Sequence, residues 1–225
     1  ALFVVAVGVS AYQNLDRIDQ LKYAHLDAQM VASVLETRAA DYFDEPPVIR
    51  RYVEEDATRA GIIEGLEWLQ ANMKQRDVGV FFYSGHGVKD DSGRFHFLPV
   101  DGSVDDPGRT CVPGELLKQY CLGTQGNLVL MIDACHSGGI DLRASEVDCM
   151  DHLALVFNRT EYRVVMLASS AGDKVSLERE ELGAGLFAKA VAEGLLGKAD
   201  TFKDQMVFTK ELDSYVTSQV RDWSN

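Results

Sequence analysis

The sequence lacks the features that mark several broad classes of protein. No apolar segment approaches the roughly 20 uninterrupted residues that a membrane-spanning helix needs. The apolar opening, residues 1–10, has no basic leader and no long helical core, so it predicts a buried strand and not a signal peptide. Repeats and low-complexity tracts are absent, which excludes fibrous and repetitive architectures. The chain does not begin with methionine, which suggests a processed or excised domain.

Positive charge is also scarce. The 225 residues include 22 Lys+Arg against 35 Asp+Glu, which gives a formal net charge of −13. No basic run offsets this charge, so most of the surface would repel a polyanion, and we expect no nucleic-acid partner. The same balance suits a cationic substrate or partner.

Cysteines are few and irregularly spaced. Cys111, Cys121, Cys135 and Cys149 form no CxxC pair and no regular framework. Free thiols of this kind are typical of a reducing compartment, so we expect a cytoplasmic protein. A zinc site is disfavoured because four Cys/His ligands with finger-like spacing are absent.

Hydrophobic runs alternate with helical periodicity along the chain, which predicts a single α/β domain over residues 1–225 with a mainly parallel sheet between helices. The expected strands are residues 2–9, 48–53 (near an edge), 78–83, 128–132 and 164–168, with a small hairpin over 90–100. The expected helices are residues 21–35, one starting near Asp56 or Thr58, a short one with Pro113 in its first turn, 186–196 and 209–220. Residues 140–161 show no period and predict a long, mobile loop.

Two of the buried strands end in glycine-flanked reactive residues, FFYSGHG and LMIDACHSGG. The carboxyl ends of parallel strands are where open α/β sheets bind their ligands. A thiol needs a nearby imidazole to become a usable thiolate, and the same histidine can later protonate the leaving amine. Cys135 and His86 are therefore candidates for nucleophile and base, although a buried cysteine is more often an inert small apolar residue.

The pair YSGHG and DACHSG resembles the caspase-like superfamily of cysteine peptidases, especially its metacaspase, paracaspase and bacterial orthocaspase branches. The resemblance extends to VVAVGVSAYQN, LKYAHLDAQMVASVL, FLPVD and ASSAGDKVSLE, and so covers nearly the whole chain. It implies a caspase-hemoglobinase-like three-layer fold. It also implies Cys135 as nucleophile, His86 as general base, and the backbone N–H groups of Gly87 and Cys135 as the oxyanion hole.

The resemblance also implies the substrate specificity. Asp133 and Asp27 match the acidic pocket positions of metacaspases, and Glu178 resembles a third acidic pocket residue of paracaspases. Carboxylates held together in a cleft require a cation between them, and a guanidinium satisfies both with bidentate hydrogen bonds. We expect cleavage after Arg, with Lys second. The alternative is that Asp27 and Asp133 merely cap helices or hold loops.

Other family features are weaker here. Many metacaspases carry an acid-dense insertion after the histidine that helps to bind calcium, whereas this chain has only VKDDSGRFHF. The sequence therefore predicts no cofactor and no metal site. It disfavours a calcium requirement without excluding one. The residues that could supply oxygen ligands to calcium are Asp90, Asp91, Asp101, Asp105 and Asp106. Arg143 and Arg159, in the 140–161 loop, are candidate self-cleavage points.

The sequence thus predicts an Arg/Lys-directed cysteine endopeptidase that acts on proteins or peptides in a regulatory or defence cascade. An activating or inhibitory protein partner is compatible with this activity, and no membrane association is expected. Two alternatives stay open: a catalytically idle caspase-like interaction module, and a peptidase dedicated to one partner protein. A monomer is preferred because the sequence shows no apolar dimer face.

Overall fold

A computed structural model describes residues 1–14, 20–136, 164–168, 178–179 and 181–224. The strands, in chain order, are β1 (Leu2–Gly8), β2 (Val48–Val53), β3 (Val78–Lys89), β4 (Phe95–Phe97), β5 (Val112–Pro113), β6 (Asn127–His136), β7 (Val164–Ala168), β8 (Glu178–Arg179) and β9 (Ala184–Gly185). The helices are α1 (Ala24–Ala39), α2 (Arg59–Asn72), α3 (Pro107–Thr110), α4 (Gly114–Gly123), α5 (Leu186–Glu193) and α6 (Thr209–Ser224). No described helix combines the length and apolar character that crossing a bilayer requires.

A parallel sheet with strand order β2-β1-β3-β6-β7 forms the centre of the described part of the chain. The short strands β4 and β5 extend it by antiparallel pairing onto the end of β3. The strands β8 and β9 pair with each other in a separate two-stranded sheet. Because β1, β3 and β6 are parallel neighbours, their carboxyl ends come together at one edge of the sheet.

The residues of the central strands alternate between two apolar layers. On one face, Phe81 and Ile132 pack in a cluster with the side chains of α2 and α4. On the other face, Phe82 and Met131 pack with the side chains of α1, α5 and α6. The sheet is therefore buried on both faces, which explains why its strands appear in the sequence as nearly continuous apolar runs.

This architecture confirms the predicted α/β fold of a mainly parallel sheet between helices. β2 lies at an edge and β7 spans residues 164–168, as predicted. The starts of two helices differ from the prediction. Helix α1 begins at Ala24 and not at residue 21, and Pro113 belongs to β5 and immediately precedes α4 without being in its first turn.

Thr58 caps the start of α2, where the sequence offered it as one of two candidates. Its backbone is extended, and its Oγ1 accepts a hydrogen bond of 3.0 Å from the N–H of Gly61. We expect Thr58→Ala to lower the free energy of unfolding by about 1 kcal/mol, because a helix N–H loses its acceptor. The matched control is Thr37→Ala on the exposed face of α1, which we expect to change it by less than about 0.5 kcal/mol. Equal denaturation midpoints for the two variants would contradict this role for Thr58.

Candidate active site

His86 and Cys135 occupy neighbouring positions at the carboxyl ends of β3 and β6. The two strands are parallel, and their register pairs His86 with Cys135 and Gly87 with His136. Adjacent strands lie about 4.8 Å apart, so the pairing brings the two backbone positions together although 49 residues separate them in the sequence. On the other side of β3, β1 ends at Gly8 opposite Ser84, so it does not cover His86.

The backbone of His86 is held on both sides by tyrosine hydroxyl groups. Its N–H donates to the Tyr12 Oη at 2.7 Å, and its carbonyl accepts from the Tyr83 Oη at 2.7 Å and from the Leu98 N–H at 3.0 Å. Only 1% of the residue is exposed. The Tyr12 ring stacks on the imidazole with the ring centroids 5.1 Å apart. The position and plane of the imidazole are therefore set by tertiary contacts.

Asp27 and Asp133 are both buried and lie around a single residue, Gly185. Asp27 is 1% exposed and Asp133 4% exposed. Both carboxylate oxygens of Asp27 accept hydrogen bonds from the Gly185 N–H, at 3.0 and 3.2 Å. A β-carbon added to Gly185 would lie 2.6 Å from the Asp27 Oδ2 and 3.4 Å from the Asp133 Oδ2. The absence of a side chain at residue 185 therefore lets its backbone approach both carboxylates.

Glu178, the third acidic residue singled out from the sequence, lies in β8. The β8–β9 register pairs Glu178 with Gly185. Gly185 therefore lies beside the carboxylates of Asp27 from α1 and Asp133 from β6, and beside the backbone of Glu178 in β8. Ser84 belongs to the same group, because its Oγ donates to the Asp27 Oδ2 at 3.4 Å.

The site also includes Ser84, Gly185 and Tyr12, for which the sequence indicates no role. Ser84 lies two residues before His86 in β3, so strand alternation places it on the same face of the sheet, and this spacing is a signal that could have found it. Gly185 and Tyr12 carry no comparable signal. Each acquires its position only through contacts with residues distant in the sequence.

Gly87, predicted to supply an oxyanion-hole amide, is fixed by strand pairing. It is paired with Phe97 in β4 and with His136 in β6. Cys135, the other predicted donor, is one register position away. The two backbone groups named for the oxyanion hole are therefore adjacent at the end of the β3–β6 pair.

The two cysteines described with their side chains, Cys111 and Cys121, are buried free thiols. Burial raises the pKa of Cys111 to about 11 and that of Cys121 to about 12. Thiols with such pKa values remain protonated near neutral pH and are poor nucleophiles. Both therefore act as small apolar core residues. Cys149 and the candidate self-cleavage points Arg143 and Arg159, in the 140–161 loop, lie outside the described residues.

Two of the aspartates considered as calcium ligands have local partners. Asp90 accepts hydrogen bonds from the N–H groups of Ser92 and Arg94 and forms an ion pair with the Arg94 guanidinium. Burial acts to raise the pKa of Asp90, but these bonds outweigh it and hold the pKa below its usual value. Asp101 accepts from the N–H of Arg59 at the start of α2. Among the described residues, no group of three or more His, Cys, Asp or Glu could hold a metal ion.

The parallel sheet between two helical layers, with histidine and cysteine at adjacent strand ends, is the arrangement of a caspase-like protein. The model of the caspase domain, a family of cysteine peptidases, matches residues 2–219, and the chain belongs to this family.

A search of solved structures supports the same fold. The chain is similar to protein GSU0716 from Geobacter sulfurreducens, with a TM-score of 0.65, 14% sequence identity, and coverage of 96% of this chain and 88% of that one. At this identity the likeness concerns the fold alone. No curated protein matches the sequence.

Proposed function

We propose that the protein is a cysteine endopeptidase that cleaves after arginine, and less efficiently after lysine, through a dyad of Cys135 and His86. The observation that carries the proposal is the pairing of these two positions at the end of the β3–β6 pair, beside the buried carboxylates of Asp27 and Asp133. The caspase domain match supports the peptidase chemistry. The branch it resembles is that of metacaspases and orthocaspases.

The chemistry proceeds by acyl transfer. The Cys135 thiolate attacks the substrate carbonyl carbon, and the electron pair of the C=O bond moves to the oxygen. The backbone N–H groups of Gly87 and Cys135 donate to that oxyanion; one such donor typically lowers the barrier by about 3 kcal/mol. The His86 imidazolium gives its proton to the leaving amine as the C–N bond breaks. A water molecule, deprotonated by His86, then hydrolyses the thioester and regenerates the thiolate.

The specificity follows from the charges around Gly185. Two buried carboxylates repel each other, and a cation placed between them relieves that repulsion. A guanidinium fits better than an ammonium group because its planar N–H donors pair with carboxylates in a bidentate manner. Glu178, whose backbone pairs with Gly185, is the third acidic residue of the proposed pocket. Arginine is therefore the preferred residue before the cleaved bond.

The biological setting belongs to the same proposal. We propose a cytoplasmic enzyme that acts on protein or peptide substrates in a regulatory or defence cascade, with self-cleavage at Arg143 and Arg159. The net charge of −13 supports cationic substrates and argues against a nucleic-acid partner. The sparse, unpaired cysteines support a reducing compartment.

A panel of fluorogenic peptides tests the function directly. We expect peptides ending in Arg to be cleaved fastest and those ending in Lys more slowly, with none cleaved after Asp, in buffer containing a calcium chelator. Cleavage after Asp would contradict the acidic pocket but keep the dyad. Activity that appears only after calcium is added would contradict calcium independence. If no short peptide is cleaved but one protein is, the chain is a peptidase dedicated to that protein. If neither peptides nor proteins are cleaved, it is an idle interaction module.

A further inference from the structure

We propose that Tyr12 is a positioning residue for the general base, an inference that rests on the proposed function of His86. Tyr12 is 2% exposed and contacts His86 in two ways. Its hydroxyl oxygen accepts the His86 N–H at 2.7 Å, and its ring lies over the imidazole at 5.1 Å between centroids, with 27° between the ring planes. One side chain thus fixes both the backbone of the base and the plane of its ring.

The loop that carries Tyr12 is itself anchored on both sides. Before Tyr12, the Glu54 carboxylate accepts hydrogen bonds from the N–H groups of Ser10 and Ala11, at 3.3 and 3.0 Å. After it, the N–H of Gln13 donates to the carbonyl of Val100 at 3.0 Å. These bonds join the loop to Glu54, which follows β2, and to Val100, which follows β4, and both are distant in the sequence. Tyr12 is therefore held in place independently of its contact with His86.

The absence of a side chain at Gly85 lets the hydroxyl groups of Tyr12 and Tyr83 approach the backbone of β3. A β-carbon added to Gly85 would lie 2.9 Å from the Tyr83 hydroxyl oxygen and 3.0 Å from that of Tyr12. The Tyr12 hydroxyl binds the N–H of the next residue, His86, and the Tyr83 hydroxyl binds its carbonyl. The glycine before the base therefore allows both peptide groups of His86 to be held at once.

The stacked ring also favours the charged form of the base. An imidazolium over an aromatic face is attracted by the ring quadrupole, and this attraction grows when water is excluded. Among the described residues, Cys135 is the register partner of His86 in β6, Tyr83 lies on its own strand, and Asp27 and Asp133 lie on the same sheet face. Tyr83 stays neutral because burial raises its pKa well above the usual value. In the proposed mechanism, Cys135 supplies the thiolate that pairs with the imidazolium.

The sign of the expected pH effect follows from this stacking. The active form of the dyad is the thiolate–imidazolium pair, and its activity falls at high pH as the imidazolium loses its proton. We expect the Tyr12 ring to stabilise the imidazolium form of His86. Removal of the ring takes that attraction away, so we expect the alkaline limb of the pH profile to move to lower pH by roughly half a unit to one unit.

The experiment compares Tyr12→Phe and Tyr12→Leu with the wild type on an Arg peptide. We expect Tyr12→Leu to lower kcat by about 10²-fold with little change in KM, and to move the alkaline limb down, because the base is misplaced and loses its stacked ring. Tyr12→Phe keeps the ring, so we expect a loss in kcat of about tenfold with an unmoved alkaline limb. The controls are Tyr42→Phe and Tyr42→Leu, at an exposed tyrosine near Ala1 and Asp77 at the opposite end of the sheet.

A second readout separates this inference from the peptidase proposal. The rate of iodoacetamide alkylation of Cys135, measured against pH by mass spectrometry, reports the thiolate–imidazolium pair whether or not any peptide is cleaved. If the wild type cleaves no peptide, the proposed function is contradicted. The role of Tyr12 can be decided even in that case, because it predicts a shift of the alkylation profile in Tyr12→Leu. Folded Tyr12→Leu with an unmoved profile overturns the inference. If that variant does not fold, an unchanged kcat in Tyr12→Phe overturns it.

Discussion

Replacement of Cys135 by alanine is expected to lower kcat/KM for an Arg peptide by on the order of 10⁴-fold or more. The reason is that the thioester needs a thiol at the end of the β3–β6 pair, and the two other cysteines that the structure describes, Cys111 and Cys121, are buried in the core. His86→Ala is expected to cause a loss of similar size, since an unactivated thiol is a poor nucleophile near neutral pH. The measurement is initial-rate kinetics on purified variants whose thermal unfolding matches the wild type.

The double variant shows whether the two residues act together. For groups that work as a unit, the second substitution adds little to the loss caused by the first, whereas the losses of independent groups multiply. We therefore expect Cys135→Ala/His86→Ala to have nearly the same residual activity as either single variant. Multiplicative losses would contradict the dyad inferred from the strand register.

Cys111 and Cys121 provide matched controls on the same chain. Both are buried, with pKa values raised by burial to about 11 and about 12. We expect Cys111→Ala and Cys121→Ala to retain the activity of the wild type. Alkylation near neutral pH should inactivate the wild type through Cys135 and leave these two thiols unmodified. An inactive but folded Cys121→Ala would contradict the assignment of Cys135 as nucleophile.

The sequence predicted which strands exist better than where the central ones end. β3 and β6 were expected to stop at residues 83 and 132, but they continue to Lys89 and His136. The extensions, SGHGVK and DACH, contain glycine and polar residues of low strand propensity, so no local pattern marks them. These extensions are strands because they pair with each other, and because β4 pairs with the end of β3.

The residues of the candidate site likewise divide into those that a local sequence pattern predicts and those that it does not. His86 and Cys135 could be predicted because each follows a buried run, and parallel strands bring such ends together. Asp27 and Asp133 were predicted only by family resemblance, since nothing in their spacing shows that they converge. Gly185 and Tyr12 were missed because their roles depend on partners 158 and 74 residues away. Periodicity reports which face of an element is buried but not which distant residue it contacts.

The second large effect is expected at the acidic pair around Gly185. We expect Asp133→Asn to lower kcat/KM for an Arg peptide by about 10²- to 10³-fold, because the buried guanidinium of the substrate would lose one of its charged partners. Asp27→Asn should cause a comparable loss. A Lys peptide should lose less in each variant, since its ammonium group makes no bidentate pair. The matched control is Asp213→Asn on the exposed face of α6, which we expect to leave both rates unchanged.

The pattern of losses distinguishes a binding pocket from a structural role for these carboxylates. If they bind the substrate cation, both variants remain folded, discriminate less between Arg and neutral peptides, and retain the alkylation rate of Cys135. If Asp27 serves only to hold the Gly185 N–H, Asp27→Asn lowers the free energy of unfolding and reduces cleavage of all peptides by the same factor. Arg preference that survives in the double variant Asp27→Asn/Asp133→Asn would show that the specificity pocket lies elsewhere.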